Sequence, residues 1–347
     1  MKLKIGLIFG GSSPEHKVSV QSAKSIYQSI NKLKYEVLLI GISKSKKFIL
    51  LKDHEFESLL SVDGIYGTKI SVSKLRSLID VAFPLVHGPS GEDGTLQGML
   101  ETFSIPYVGS GVLGSAICMN KEVTKRLLTE AGFKVAKYFV FTKKEIKDFT
   151  YNYIVKSLGI PFFIKPIGQG SYLGVSNVTS HEEYLDSIDR AFKYDEKILL
   201  EEMIYGKELE CAVIGIEEPK TSIIGEIKTN DYYSYEEKYL TDPEDLLEIP
   251  ANISNRVSES IQDYSTKIFN LLYCQGLARV DIFLTEEDEI IINEINTIPG
   301  FTNNSMFPKL WEKSGLVYKE LIEKLIGYAC NVHNEKLVNR TKAMNRM

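Results

Sequence analysis

The first third of the chain alternates short apolar runs with segments of helical periodicity. The runs are KIGLIFG, YEVLLIGI and DVAFPLV, and helical patterns extend from about Val18 to Ile30 and around TLQGMLETF. Strands that alternate with helices are typical of βαβ units, whose strands run parallel. The pattern therefore predicts a parallel sheet in the N-terminal third.

From MNKEVTKRLLTEAGF onward the pattern changes to a helix followed by hairpin-like strands. PFFIKPIGQGSYLGVSNV contains two strands around a glycine-rich turn, and KILLEEMI and ELECAVIGI predict further strands. Residues 226–250 are polar, tyrosine-rich and poor in periodicity. A loop of this length in a compact protein is usually functional or disordered, and the clustered tyrosines favour a lid over a site. The polar segment after Cys330 predicts a frayed helix.

Composition restricts the function classes. A chain of 347 residues predicts two or three domains, and its net charge of −5 gives no general attraction to nucleic acid. Its apolar stretches are shorter than the ~18 residues that span a membrane. The N-terminal apolar run ends at Gly10 and Gly11 without a cleavage site, which favours a strand over a signal peptide. Four scattered cysteines without CxxC spacing disfavour structural zinc and a disulfide framework, and favour a reducing cytoplasm.

Polar side chains interrupt two apolar strands, GLARVDIFL and DEIIINEIN, that the acidic turn TEED connects. A hairpin with residues 287 and 288 at its centre places Asp281 opposite Glu294 and Arg279 opposite Asn296, on one face. Two carboxylates and a carboxamide oxygen suit Mg²⁺. The alternative is a hairpin with a solvated face, which a lone Glu-x-Asn would favour. Four polar groups in register favour the metal site.

The stretch FFIKPIGQGSYLGV places Lys165 at the end of an apolar strand, before Gly168, Gly170 and Gly174. Glycines let backbone N–H groups approach phosphate oxygens, and a lysine supplies positive charge. The stretch lacks the GKS or GKT triplet of a Walker A loop, and glycines alone also fit an ordinary hairpin turn. Together with a metal hairpin they predict a nucleotide between two sheets.

In ILLEEMIYGKELE, the segment from Glu201 to Ile204 predicts a strand-to-loop connector whose backbone can pair with a purine edge. Glu208 can accept hydrogen bonds from ribose hydroxyls. Ordinary surface charge is the alternative for these acids.

These segments, in this order, resemble the ATP-grasp superfamily. GGSSPEHKVSVQSA, HGPSGEDGTLQGMLE, YVGSG and RVDIF…NEINTIPGFT resemble the D-alanine–D-alanine ligases, and the resemblance extends from about residue 4 to residue 329. It implies an α/β protein with an N-terminal Rossmann-like parallel sheet domain and two α+β subdomains that enclose ATP. The implied divisions are an N-terminal domain at 1–120, a central ATP-grasp subdomain at 121–214, a C-terminal ATP-grasp subdomain at 215–330 with the lid at 226–250, and a polar tail at 331–347.

The resemblance implies ATP-dependent ligation of two D-alanines through an acyl phosphate, for peptidoglycan precursor synthesis. It also implies ATP, two Mg²⁺ ions with Mn²⁺ as a substitute, and a cytoplasmic homodimer that binds neither nucleic acid nor membrane. The alternatives are a D-alanine–D-serine or D-alanine–D-lactate ligase of the vancomycin-resistance type, another ATP-grasp carboxylate–amine ligase, and a silent nucleotide-binding relative. The hypothesis of a catalytically inactive relative is weakened because Lys165, Arg279 and the three metal-site residues occur together.

The resemblance implies roles residue by residue. The residues implied to act on the reacting groups are Glu15, Ser171, Tyr239, Arg279 and Gly300. Those implied to bind the D-alanines are His87, Lys238, Ser305 and Met306. Those implied to bind ATP are Lys121, Lys165, Gly170, Glu201, Glu202, Ile204, Glu208 and Asn293. The implied metal ligands are Asp281, Glu294 and Asn296.

Two of these assignments determine the expected second substrate. The Lys238–Tyr239 pair matches the D-alanine–D-alanine ligases, and Met306 offers an apolar wall without a hydrogen-bond donor. Both favour D-alanine over D-serine or D-lactate. Three positions depart from the family pattern: Lys17 and Asn120 are each expected to weaken a supporting contact, and Tyr172 is expected to affect loop packing and ATP affinity more than activity. Glu15 also precedes a helix that Ser12 or Ser13 can cap, a role that needs no catalysis.

Overall fold

Three sheets organise the part of the chain that the computed structural model describes, namely residues 2–60, 64–170, 173–228 and 246–344. The first sheet is N-terminal and mixed, and the other two are antiparallel. They follow one another along the chain in the order that the change of pattern predicted.

The N-terminal sheet has the strand order β4-β3-β2-β1-β5. Three adjacent strands, β2, β1 and the edge strand β5, run parallel, which confirms the predicted parallel sheet for these strands. The pair β3 and β4 extends the edge in antiparallel fashion and was not predicted. Only residues 43–47 connect β2 to β3, and a parallel crossover needs a dozen or more residues. The strands are β1 (Leu3–Gly10), β2 (Tyr35–Ile42), β3 (Phe48–Leu51), β4 (Thr68–Lys69) and β5 (Val81–Pro84).

Helices accompany this sheet as the periodicity predicted. The first, predicted from about Val18, begins at His16 and buries Val20, Ala23 and Ile26. The helices of this region are α1 (His16–Ser29), α2 (Asp53–Glu57), α3 (Leu75–Leu78), α4 (Thr95–Thr102) and α5 (Val112–Met119). Short 3₁₀ turns lie at Ser58–Leu60, Val72–Lys74 and, further along the chain, Glu145–Asp148.

The central sheet has the strand order β6-β9-β7-β8. Its β7–β8 pair is the predicted pair of strands around the glycine-rich segment. The strands are β6 (Tyr138–Thr142), β7 (Phe162–Pro166), β8 (Ser176–Val178) and β9 (Lys197–Glu202). The helices are α6 (Lys121–Glu130), α7 (Tyr151–Leu158) and α8 (His181–Ala191).

The C-terminal sheet has the strand order β12-β11-β10-β13-β14. Its strands are β10 (Lys207–Gly215), β11 (Lys220–Ile227), β12 (Leu247–Glu248), β13 (Gly276–Leu284) and β14 (Ile290–Asn296). Its helices are α9 (Asn255–Leu271), α10 (Met306–Lys313) and α11 (Tyr318–Met344). The segment predicted as a frayed helix after Cys330 continues α11, and none of the described helices is long and apolar enough to cross a membrane.

The ends of two predicted segments differ from the structure. The chain leaves the central sheet after Glu202 and enters the C-terminal sheet at Lys207, so the predicted limit at residue 214 falls inside β10. That division of domains stays a prediction. The predicted lid at 226–250 begins in β11 and includes β12, and Glu226 lies opposite Glu248. Residues 229–245 lie outside the described residues.

One hydrophobic core joins the N-terminal sheet to the C-terminal helices. Leu7 and Phe83 of the sheet share it with Phe307 of α10 and Leu325 of α11. The ring of Phe301, in the segment before α10, lies 6.0 Å from the ring of Phe83. The segment between β14 and α10 is therefore held against the N-terminal domain by buried apolar contacts, which positions the residues described next.

Candidate active site

The β13–β14 hairpin has the predicted register where its polar residues lie. Asp281 is opposite Glu294, and Arg279 is opposite Asn296. Nearer the turn the register differs, because Ile282 pairs with Ile292. Asn293 is therefore an extra residue in β14, which makes it a β-bulge.

The observed turn differs from the predicted one, and the bulge compensates for the difference. Thr285 and Glu289 close the turn, and the N–H of Asp288, in the left-handed region at φ 60°, donates to the carbonyl of Thr285 (3.1 Å). The centre is residue 287 alone, so the prediction of a centre between 287 and 288 was wrong. Without the extra residue every side chain beyond this point would face the opposite side of the sheet. The bulge at Asn293 returns Glu294 to the face of Asp281.

Arg279 is buried between two carboxylates. Its Nε and Nη2 donate to the two oxygens of Asp281, at 2.6 Å each. Its Nε also lies 3.1 Å from Oε2 of Glu210, on the neighbouring strand β10 and directly opposite Asp281. Burial alone would lower the pKa of Arg279, but Asp281 and Glu210 raise it well above its ordinary value. The guanidinium is therefore a permanent positive charge.

Glu210 was not predicted from the sequence to have a role. The signal was present, because Glu208 and Glu210 alternate with apolar residues in ELECAVIGI and so share a strand face. A buried acid in an apolar strand needs a compensating charge.

The three predicted metal ligands differ in their surroundings. Asp281 is buried against Arg279, whereas the Glu294 side chain is 41% exposed and lies 3.5 Å from Nζ of Lys121. The Oδ1 of Asn296 accepts the N–H of Ile298 at 3.0 Å. Two carboxylates and a carboxamide on adjacent strands are hard oxygen donors, so the set fits a divalent cation such as Mg²⁺.

The two predicted phosphate lysines come from different elements. Lys121 begins α6, and its Nζ donates to the carbonyl of Gln169, in the glycine-rich segment (2.9 Å). Lys165 lies on β7, and its Nζ donates to Glu201 Oε2 (2.5 Å). Burial alone would lower the pKa of Lys165, but Glu201 above all, and then Glu294, raise it. Both lysines are thus electrostatically linked to the hairpin.

A third lysine, Lys125, joins this cluster and was not predicted. It lies one turn after Lys121 on α6, is buried, and contacts Oε1 of Glu201. Burial lowers the pKa of Lys125, and Glu201 opposes that effect in part. Burial would raise the pKa of Glu201, but Lys125 and Lys165 lower it to about 2. The spacing of Lys121 and Lys125 in KEVTK was the available signal, because residues four apart share a helix face.

The residues predicted to bind adenosine lie at the end of β9 and beyond it. Glu201 is paired on both sides, with Tyr138 of β6 and Phe163 of β7, and its carboxylate is held by the lysines. Glu202 accepts the N–H of Lys137 (2.6 Å). Ile204 lies in the connection to β10, and Glu208 lies on that strand. Their roles toward adenosine stay predictions.

Glu15 connects the N-terminal domain to the glycine-rich segment. It is buried just before α1. A Cβ at Gly88 or Gly170 would lie 3.0 Å or 3.3 Å from its Oε2, so its carboxylate is against both backbones. Glu15, not Ser13, is the N-cap residue of α1 and makes no side-chain cap, and the Ser13 hydroxyl donates to the carbonyl of His87 (2.8 Å).

His87 is buried and contacts the segment after β14. Its Nδ1–H donates to the carbonyl of Ile298 (2.9 Å), in the segment after β14, and lies 3.5 Å from Oε1 of Glu92. Burial would lower the pKa of His87, but Glu92 and Glu15 raise it. Glu92 was not predicted, although it belongs to the quoted stretch HGPSGEDGTLQGMLE.

The segment from Thr297 to Ser305 is held at several points. The N–H of Phe301 donates to Ser22 Oγ (3.2 Å), and the hydroxyl of Tyr318 donates to the Phe301 carbonyl (2.6 Å). A Cβ at Gly300 would lie 3.0 Å from Ser305 Oγ, so the residues predicted for the oxyanion and for the carboxylate are neighbours.

Four residues predicted to contact the substrates or the reacting groups are not placed at the site by the described structure. Met306 is buried, and its sulfur packs against Gly225 of β11, so its contact with the substrate stays a prediction. Ser171, Lys238 and Tyr239 lie outside the described residues.

Comparisons with known proteins agree with this geometry. The family described as D-ala D-ala ligase N-terminus matches residues 4–110, and D-ala D-ala ligase C-terminus matches residues 127–327. The D-alanine–D-alanine ligase of Oceanobacillus iheyensis is 47% identical, with 95% of each chain covered.

Two solved structures have the same fold. The D-alanine–D-alanine ligase of Coxiella burnetii has a TM-score of 0.85 at 32% identity, covering 100% of this chain and 99% of the other. The VanG D-Ala:D-Ser ligase of Enterococcus faecalis has a TM-score of 0.83 at 35% identity, covering 95% of this chain and 100% of the other. The pairing of Asp281 with Glu294, the convergent lysines and these matches along nearly the whole length lead to one conclusion: the chain belongs to the D-alanine–D-alanine ligase family.

Proposed function

We propose that this protein joins two D-alanines into D-alanyl-D-alanine at the expense of ATP, as a step of peptidoglycan precursor synthesis. The observation that carries the proposal is the hairpin register, which aligns Asp281 with Glu294 and Arg279 with Asn296. The ammonium of Lys121 lies 3.5 Å from Glu294, so positive charge for phosphates lies beside oxygen donors for a cation.

Lys121 and Lys165 bind the ATP phosphates in this proposal, with the backbone at Gly170. Asp281, Glu294 and Asn296 would hold two Mg²⁺ ions, or Mn²⁺ in their place, and the bound ions would supply positive charge against the phosphates. The adenosine lies against Glu202, Ile204 and their neighbours.

The first D-alanine is bound by its ammonium at Glu15. Its carboxylate oxygen attacks the γ-phosphorus of ATP and the bond to the β-phosphate breaks, so that ADP leaves and an acyl phosphate forms. The free amine of the second D-alanine attacks the acyl carbon. When the tetrahedral intermediate collapses, the bond from the acyl carbon to the phosphate oxygen breaks, and inorganic phosphate leaves with the proton that the amine loses.

Arg279 and the N–H of Gly300 stabilise the oxyanion of that intermediate. A donor that is already in position as the charge develops lowers the barrier most. Arg279 is held by two carboxylates from adjacent strands, which supports its role as a fixed donor. Ser305 holds the carboxylate of the second D-alanine in this proposal.

D-Alanine is the proposed second substrate. The Oceanobacillus relative named for D-alanine–D-alanine ligation is 47% identical, whereas the structure named for D-serine is 35% identical. The D-serine and D-lactate alternatives are therefore not favoured. We also propose that the protein acts in the cytoplasm as a homodimer.

The test is phosphate release from ATP with D-alanine, D-serine or D-lactate, followed by identification of the product at neutral pH. Of the three compounds, only D-alanine should support rapid phosphate release, and the product should be D-alanyl-D-alanine. A main product that contains D-serine or D-lactate would overturn the substrate assignment. Release that does not depend on any of the three would overturn ligation itself.

A further inference from the structure

Lys125 is a buried lysine that the proposed reaction does not use. Its side chain on α6 is 3% exposed and contacts Oε1 of Glu201. The other carboxylate oxygen, Oε2, lies 2.5 Å from Nζ of Lys165. One carboxylate is therefore shared between two lysines from different elements, each on its own oxygen.

Charge compensation of Glu201 does not require Lys125. Lys165 already supplies one positive charge to one carboxylate, so Lys125 adds a surplus charge in a buried place. Removing such a charge from water costs roughly several kcal/mol. Buried ionisable groups with specific charge partners are concentrated at functional sites.

We propose that Lys125 is a positioning residue for the binding of the ATP phosphates, which acts by occupying one oxygen of Glu201. Lys165 then pairs with the remaining oxygen only, and the cluster of Lys125, Glu201 and Lys165 carries a net positive charge toward the phosphates. Without Lys125, both oxygens of Glu201 would be available to Lys165, and the pair would be neutral. The inference rests on the proposed phosphate site at Lys121 and Lys165.

The first experiment measures the Kd of a non-hydrolysable ATP analogue by calorimetry, together with KM for ATP and for D-alanine. Lys125→Met should weaken nucleotide binding about tenfold, which corresponds to about 1.4 kcal/mol. KM for D-alanine should change by less than about twofold, because the ammonium and carboxylate of D-alanine are bound elsewhere. Lys125→Arg should restore most of the affinity since it keeps the charge.

The matched control is Arg126→Met. Arg126 is the next residue of α6, and its side chain is 71% exposed, so the variant removes the same charge from the same helix without touching Glu201. It should bind the analogue like the wild type. Equal weakening in both variants would overturn the proposal, because general charge would then explain the effect.

A double-mutant cycle tests whether Lys125 acts through Glu201. In the Glu201→Gln background, Lys125→Met should weaken nucleotide binding no further, because the carboxylate that it positions is gone. This double variant loses one charge of each sign, which keeps it foldable if Lys125→Met alone does not fold. A further tenfold loss, or about that, would overturn the positioning role.

Lys165→Met separates the inference from the proposed function. If it leaves nucleotide affinity unchanged, the proposed phosphate site is wrong. If it weakens binding whereas folded Lys125→Met binds like the wild type, only the inference is wrong. If Lys125→Met loses stability while its affinity for the nucleotide is unchanged, Lys125 only compensates the charge of Glu201. That result would also overturn the proposal.

Discussion

Two buried charge clusters border the proposed site, and their compositions are opposite in sign. The lysine cluster consists of Lys125, Glu201 and Lys165. The arginine cluster consists of Glu210, Arg279 and Asp281. In each, a central group of one sign is shared between two groups of the other sign, which leaves one surplus charge.

The sign of the surplus matches the ligand that each cluster faces in the proposal. A net positive cluster attracts the phosphates, and a net negative cluster attracts divalent cations. Sharing the central group places an opposite charge beside each ion, so each cluster is held in place without the ligand. In both clusters the fold therefore supplies preorganised charge rather than an isolated lysine or aspartate.

The largest expected effect comes from Arg279→Met. It leaves Asp281 and Glu210 as neighbouring buried carboxylates without a cation, which should lower the free energy of unfolding by about 3–5 kcal/mol. Ligation should also be lost with the oxyanion donor. Denaturant unfolding and phosphate release measure the two effects.

Arg279→Lys is its control. It keeps the charge and loses the bidentate geometry, so it should recover stability in part. Unchanged unfolding of Arg279→Met would contradict the description of the arginine cluster as a charge-compensated unit.

Glu294→Gln should abolish ligation and leave stability nearly unchanged. The side chain is 41% exposed, so folding does not depend on its charge, but an amide does not bind Mg²⁺ as a carboxylate does. Phosphate release and thermal unfolding separate the two quantities. Glu289→Gln, on the same hairpin and 40% exposed, should ligate normally. Near-normal turnover by Glu294→Gln would remove Glu294 from the metal site.

The lysine cluster should make the free energy of unfolding depend on pH in the acid range. Because the pKa of Glu201 is about 2 in the folded chain, against an ordinary 4.5, its contribution is complete above pH 4.5 and is lost as the pH falls toward 2. The difference corresponds to roughly 3 kcal/mol. Unfolding curves at pH 7 and pH 3 should therefore differ less for Glu201→Gln than for the wild type.

Glu196→Gln is the matched control for that measurement, since Glu196 is exposed and lies one residue before β9. It should keep the acid dependence of the wild type. Identical acid dependence in Glu201→Gln would show that the lysines do not stabilise the Glu201 carboxylate.

The smallest effect is expected at Asn120. Its Oδ1 accepts the N–H of Val123 (3.0 Å) and caps α6, the helix that carries Lys121 and Lys125. Asn120→Ala should cost about 1 kcal/mol of stability, whereas Asn120→Asp should cost little. Thermal unfolding measures both. An unchanged Tm for the alanine variant would show that the cap does not stabilise the helix.

The arginine cluster was partly predictable because much of it is local in sequence. Arg279 and Asp281 lie two residues apart, and their opposite residues follow one short turn later. The strand period of two then determines which side chains share a face. The turn centre was wrong, and the register at Glu294 was nevertheless right because of the bulge at Asn293, which the pattern of isoleucines did not reveal.

The lysine cluster was predictable only as separate residues. Lys165 and Glu201 lie 36 residues apart, and Lys125 comes from a helix before both. Periodicity shows that Lys125 shares a helix face with Lys121, but not that this face is buried against β9. Glu201 was assigned to adenosine from its segment and from the resemblance, a role that stays a prediction, and its carboxylate is held by two lysines.

From the sequence alone follow the parallel strands of the N-terminal sheet, the hairpin that aligns Asp281 with Glu294, and the family. These depend on neighbours within a strand, a helix or one turn, where side-chain periodicity is a property of the backbone. Only the tertiary structure decided which distant charges meet: Lys125 with Glu201, Glu210 with Arg279, and His87 with the Ile298 carbonyl. Those contacts depend on how the sheets and helices pack against one another. The packing brings charged side chains from distant parts of the chain within reach of each other.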